Sequence, residues 1–120
     1  VALADALRAA EMYRQLGIAV LGVVENMSYF VCPSCGAEHD LFGRGGVKRA
    51  AEARGERLLA ELPLHPGLRE NTDAARAPET FAAQGPLREP VERMVAGTIE
   101  AVEQRLADGP APAPLQVRTQ

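Results

Sequence analysis

The stretch that most constrains the fold is residues 18–24, IAVLGVV, a nearly unbroken apolar run rich in β-branched residues. Such a run has no polar face to give to water. It therefore reads as a strand covered on both sides, as in a parallel sheet. Glu25 and Asn26 end the run. In open α/β sheets ligand chemistry gathers beyond the carboxyl ends of the strands, where these two polar residues would stand. Six residues past Asn26 comes Cys32-Pro33-Ser34-Cys35-Gly36, which holds both cysteines of the chain.

The flanking segments supply the rest of an α/β pattern. Residues 1–16 put Leu3, Leu7, Ala10, Tyr13 and Leu16 on one helical stripe, with Asp5, Arg8, Glu11 and Arg14 largely off it. Gly17 is a helix stop. No N-cap precedes this helix and residue 1 is not methionine, so the chain is expected to be the C-terminal portion of a larger protein. Residues 27–42 read as irregular, with short strands flanking the cysteines. Gly43-Arg44-Gly45-Gly46 predicts a flexible turn into a helix over 47–54, stopped by Gly55 and followed by a strand over 57–62.

Pro66 in a first turn predicts a short helix over 66–72. A last helix is predicted from near Pro86, its buried face marked by Val91, Met94, Val95, Thr98, Ile99, Val102 and Leu106. The expected domain is 1–107; 108–120, with Gly109-Pro110 and two further prolines, reads as a flexible tail.

Composition narrows the function. A net charge of −3 and the lack of a basic stripe argue against nucleic acid as a partner. No apolar run reaches bilayer length and no secretory leader is present, so no membrane association is expected. Two cysteines three positions apart do not make a secreted disulfide scaffold; in a reducing compartment such a pair binds metal or does redox work. The expected location is cytoplasmic.

The proline and glycine around Cys32 and Cys35 bend the backbone so that both sulfurs face one centre. Tetrahedral thiolate sites need four ligands, and this loop has two. The others would come from His39 and neighbours, from water, or from a second copy of the chain. His39 by itself reads as a polar loop residue, His65 as no ligand, and Glu38 and Asp40 as solvated charges. Gly43 to Lys48 superficially suggests a phosphate loop, but that loop ends in Gly-Lys-Ser/Thr and no Gly-Lys dipeptide occurs in the chain. Asn26 is either a strand-ending turn residue or a donor–acceptor group for the edge of a base.

Taken as a set, Gly22-Val23-Val24-Glu25-Asn26-Met27-Ser28-Tyr29-Phe30, the Cys32–Gly36 knuckle, Leu41-Phe42-Gly43-Arg44-Gly45-Gly46 and Leu62-Pro63-Leu64-His65-Pro66-Gly67-Leu68-Arg69-Glu70 resemble the Mrp/ApbC-type iron–sulfur cluster carrier ATPases. That family belongs to the MinD/ParA-like, deviant phosphate-loop group. The resemblance implies the C-terminal part of a P-loop NTPase-type parallel sheet with flanking helices, plus the CPxCG knuckle loop. It also implies a homodimer bridged by a [4Fe-4S] cluster on Cys32 and Cys35 of each chain, ATP and Mg2+ binding in the full-length protein, and delivery to apo iron–sulfur proteins. Asn26 is similar to the family's adenine-contacting asparagine, and Leu62, Pro63, Leu64 and His65 to the segment closing the other side of the base. His65 stands where the family most often has aspartate, and the phosphate-loop lysines would lie upstream, so this polypeptide alone is expected not to hydrolyse ATP. Two other readings differ in class: a zinc-stabilised, non-catalytic interaction module, and a fragment of a partitioning-type ATPase.

Overall fold

The apolar run joins a ladder only at its carboxyl end. The computed structural model describes residues 2–82, 85 and 87–109. Along the chain it forms α1 (Ala2–Gln15), β1 (Val23–Glu25), β2 (Phe30–Val31), β3 (Glu38–His39), α2 (Gly46–Ala53), β4 (Leu58–Glu61), α3 (Pro66–Asp73), α4 (Ala77–Thr80) and α5 (Arg88–Ala107). β1 runs parallel to β4, aligning Val23 with Leu58, Val24 with Ala60 and Glu25 with Glu61. This is the α/β arrangement that the sequence predicts, a parallel pair with flanking helices.

Two strand boundaries differ from expectation. Residues 18–22 lie outside the ladder, and Ile18 is half exposed, because β4 begins to pair only at Val23, whose N–H bonds Arg57 O at 2.8 Å. Glu25 belongs to the strand and does not end it, so Asn26 is the break. The predicted helices over 47–54 and 66–72 agree with α2 and α3 to within a residue at each end. The single-turn α4 was not anticipated; Pro78 in its first turn was the signal for it. Pro86, where the sequence places the start of the last helix, and 110–120 of the expected tail lie outside the described residues.

α5 packs on the sheet by a different face from the one its large apolar residues mark. Val91, Met94 and Thr98 are half-buried as expected, but Val95, Ile99, Val102 and Leu106 are exposed. The contact is made through small residues. Ala101 is buried, and Gly97 faces β4, where an added Cβ would make ordinary van der Waals contact with Leu59 O at 3.4 Å. A seam at that distance takes a methyl group but not a large side chain, whereas a hydropathy pattern weights large ones.

α1 covers the other side. Leu7, Ala10, Tyr13, Val24, Val47 and Ala51 line an apolar cleft of about 290 Å³ between α1, β1 and α2. An ionic lattice holds its end. Glu56, its side chain only 5% exposed, pairs with Arg14 of α1 and lies 3.6 Å from Arg54 Nε, while Glu11 accepts from Arg54 at 3.2 Å.

Gly22 leads into β1 with no room for a side chain: a Cβ there would stand 2.7 Å from both Arg57 O and Leu59 Cγ. Gly22→Ala should therefore destabilise the chain by about 1–3 kcal/mol, seen as a lower urea midpoint at unchanged slope. Gly46→Ala, whose Cβ meets nothing within 4 Å, is the control and should be neutral or slightly stabilising. Equal midpoints for the two variants would contradict the β1–β4 packing.

Candidate functional site at the carboxyl end of the sheet

Beyond Glu25 the chain leaves the sheet for two residues and then returns to it. Asn26 and Met27 are exposed, and Met27 adopts a left-handed conformation, φ 55°. The Asn26 side chain accepts the Met27 N–H at 3.0 Å, an Asx-type contact that stabilises this excursion. Leu62 N–H bonds Glu25 O at 2.8 Å, Ser28 N–H bonds Leu62 O at 2.9 Å, and Leu64 N–H bonds Tyr29 O at 2.7 Å. Asn26 is thus bracketed by rungs to Leu62. The structure brings Asn26 and the 62–65 segment side by side.

His65 has a structural role that the sequence reading missed. Its Nδ1 accepts the Gly67 N–H at 3.0 Å, making His65 the N-cap of α3, with Pro66 in the first turn. An N-cap needs an acceptor to satisfy an otherwise orphaned helix N–H. Aspartate supplies a carboxylate oxygen for that purpose, and a histidine with a free Nδ1 supplies a ring nitrogen.

The cysteines sit at the tip of a two-stranded hairpin. β2 and β3 pair antiparallel, Phe30 with His39 and Val31 with Glu38. Cys32 N–H bonds Ala37 O at 2.9 Å, and Gly36 N–H bonds Cys32 O at 2.8 Å, with Gly36 at φ 72° closing the turn. Cys32 is half-buried and Cys35 exposed, both as free thiols. The backbone N–H of Ser34, then that of Cys35, lowers the Cys32 thiol from its ordinary value of 9.0 by stabilising its charged form. His39 is exposed on β3, its ring 6.2 Å from that of Phe30. Among the described residues no three His, Cys, Asp or Glu side chains gather as a metal site. One chain presents a pair of thiols.

Glu38 and Asp40 are not merely solvated charges. Asp40 Oδ1 accepts from Gly43 N at 2.8 Å and Phe42 N at 3.3 Å, and its Oδ2 from Arg44 N at 2.7 Å. The 40–44 turn is thereby fixed, where the glycines predict a flexible one. Arg44 then reaches back over the hairpin base. Its guanidinium lies 4.3 Å from the Tyr29 ring centre, with Nη1 2.9 Å from Glu38 and Nε 3.9 Å from Glu61.

Two outcomes follow from these turns. His65→Ala should cost about 1 kcal/mol and speed amide exchange at Gly67, whereas His65→Asp should preserve both; equal behaviour of the two variants would remove the cap. The N–H groups of Arg44, then Gly43, hold the Asp40 carboxyl below its ordinary value of 3.8. Its contribution to the turn is complete above that value and is lost as pH falls through the lower folded-state pKa. A carboxyl NMR titration should place the Asp40 midpoint below 3.8, and a midpoint at or above it would show the turn to be unformed.

Comparison with known proteins supplies the family. A model described as "ParA: NUBPL iron-transfer P-loop NTPase" matches residues 1–99. An iron-sulfur cluster carrier protein from Deinococcus radiodurans is 48% identical over 104 residues, covering 82% of this chain and 29% of that protein. The iron-sulfur cluster transfer protein NUBPL of Dictyostelium discoideum is 41% identical over 76 residues, 63% of this chain and 24% of its own length. The chain thus spans less than a third of the length of these relatives. A solved structure of the nucleotide-binding protein from Archaeoglobus fulgidus in complex with ADP superposes with a TM-score of 0.56 at 38% identity, over 63% of this chain and 31% of that one. With the family model matching over most of its length, the chain belongs to the NUBPL-type iron-transfer P-loop NTPases of the ParA group.

Proposed function

We propose that this chain is the cargo-holding portion of an iron–sulfur cluster carrier, in which Cys32 and Cys35 of two copies together hold a [4Fe-4S] cluster for delivery to apo iron–sulfur proteins. The observation that carries the reading is the hairpin tip: two free thiols on one bent loop, one of them exposed and the other with its charge stabilised by backbone N–H groups. Two thiolates fill half of the outer coordination of a four-iron cluster, and a two-fold axis through the tips completes it. Relatives named as iron-sulfur cluster carrier or transfer proteins support the cargo.

The chemistry suits transfer better than storage. Thiolate exchange at iron needs an incoming thiolate to reach the cluster while an old ligand leaves, so an exposed sulfur favours release. Cys35 meets that need, while Cys32, half-buried, is the harder of the two for an incoming thiolate to reach.

Nucleotide enters the same reading through the sheet end. In the full-length protein Asn26 and the Leu62, Pro63, Leu64 and His65 segment would bracket the adenine of ATP, with Mg2+ and the phosphates held by parts upstream of this chain. The ADP bound by the Archaeoglobus fulgidus protein supports a nucleotide on this fold. We place the functional domain in 1–107 and assign no role in the site to 108–120. Among the described residues no helix is long and apolar enough to cross a membrane. The cytoplasm, where thiols stay reduced, suits this chemistry.

Anaerobic reconstitution with iron and sulfide tests the reading. The expected product is brown and dimeric, with one four-iron cluster per pair of chains, and colour and dimer are lost in both Cys32→Ser and Cys35→Ser. A colourless monomer, or tight zinc with no cluster, would sink the proposal and point to a structural zinc module. The chain by itself should release no phosphate from ATP above the level of a Cys32/Cys35 double variant, because it contains no Gly-Lys of a phosphate loop.

A further inference from the structure

We infer that Arg44 is a positioning residue that clamps the outer strand of the cysteine hairpin to the carboxyl end of β4, and so sets the geometry of Cys35 relative to Cys32. The inference rests on the cargo reading for its consequence and on the geometry alone for the clamp.

The two strands of the hairpin are anchored very differently. β2 is tied directly to the sheet end: Leu64 N–H bonds Tyr29 O, Val31 N–H bonds Leu64 O, and Phe30 bridges Leu64 in parallel. Among the described residues β3 has no such rungs to the sheet. It pairs only with β2, over two residues that are both exposed, with the Cys32 N–H to Ala37 O bond continuing the hairpin beyond them. A ladder of that length is marginal on its own. Cys32 follows β2 and Cys35 leads into β3, so any swing of β3 changes the relation of the two sulfurs.

Arg44 closes this gap from three directions. Its Nη1 pairs with Glu38 of β3 at 2.9 Å, its Nε stands 3.9 Å from Glu61, the last residue of β4, and its guanidinium lies 4.3 Å from the centre of the buried Tyr29 ring. Glu61 is held in turn by the Ser28 hydroxyl at 3.4 Å. The arginine backbone is fixed as well, because Asp40 Oδ2 accepts its N–H. A planar guanidinium can stack on a ring face while its edge pairs with carboxylates, which an ammonium cannot do. Arg44 and Glu38 are both substantially exposed, so the ion pair adds little to global stability. Its effect is on orientation.

The test uses the whole 120-residue chain with two readouts. In the metal-free protein, residual dipolar couplings of β3 and the 40–44 turn should fit the alignment tensor of β1 and β4. In Arg44→Ala they should depart from it, at an unchanged urea midpoint, and Arg44→Lys should recover part of the fit. In the reconstituted protein, Arg44→Ala should lose iron to a chelator about ten-fold faster, the lower end of what outer-shell changes do at metal sites, with Arg44→Lys between. Unchanged couplings in Arg44→Ala would overturn the clamp, and changed couplings with unchanged iron loss would overturn its role in holding cargo. Failure of the unmutated chain to take up a cluster would instead overturn the proposed function, leaving the couplings to decide on the clamp.

Discussion

The site depends on four main-chain hydrogen bonds that continue the parallel pair past its last regular residues, from Leu62 N to Glu25 O, Ser28 N to Leu62 O, Leu64 N to Tyr29 O and Val31 N to Leu64 O. Buried N–H and C=O groups must find partners, and these rungs satisfy them across a stretch that is otherwise loop. The result is a shared edge. It places Asn26, the 62–65 segment and the root of the cysteine hairpin along one line at the carboxyl end of the sheet. Cutting the rungs would separate the 62–65 segment from Asn26 and the cysteine hairpin without disturbing α5 or its packing on β4.

How much of this was legible in the sequence depends on what kind of physics each part uses. The β1 and β4 segments, α2 and α3 were readable because apolar runs, glycine stops and a first-turn proline act locally. The turn that Gly36 N–H closes on Cys32 O was readable for the same reason, since a proline and a glycine in adjacent positions favour it. The α5 face differs from the one its hydropathy marks: Val95, Ile99, Val102 and Leu106 carry more hydropathy than Gly97 and Ala101, yet the helix meets β4 through the small pair. The ladder boundary at Val23 was also out of reach, because it is fixed by where Arg57 offers a carbonyl, a residue more than thirty positions away.

The polar residues near the site were the least legible. Asp40 and Glu38 read as solvated charges, and His65 as no ligand and, through the resemblance, as part of the segment closing over the base, because a charge or an imidazole in a loop has many partners in principle. Their roles depend on backbone direction. Asp40 gathers N–H groups of a turn that its own glycines allow, Gly43 at φ 85° and Gly45 at φ 84°. His65 meets Gly67 N–H only because Pro66 fixes the first turn of α3. A proline following the residue and a glycine two places on was the available signal for a cap at His65.

The balance between holding and releasing a metal cargo is set by how firmly its ligands are anchored. The two strands of this hairpin divide that demand: β2 shares rungs with the sheet, and β3 relies on side chains. Main-chain ladders persist until the local fold opens, whereas an exposed ion pair and a stacked guanidinium exchange partners readily in water. If Cys32, which follows the firmly held strand, and Cys35, which leads into the loosely held one, ligate the proposed cargo, the site would open at one end first. Under the proposed function, such an asymmetric opening would let one thiolate retain the cargo while a recipient's thiolate replaced the other, so that no iron site need pass through an unligated state.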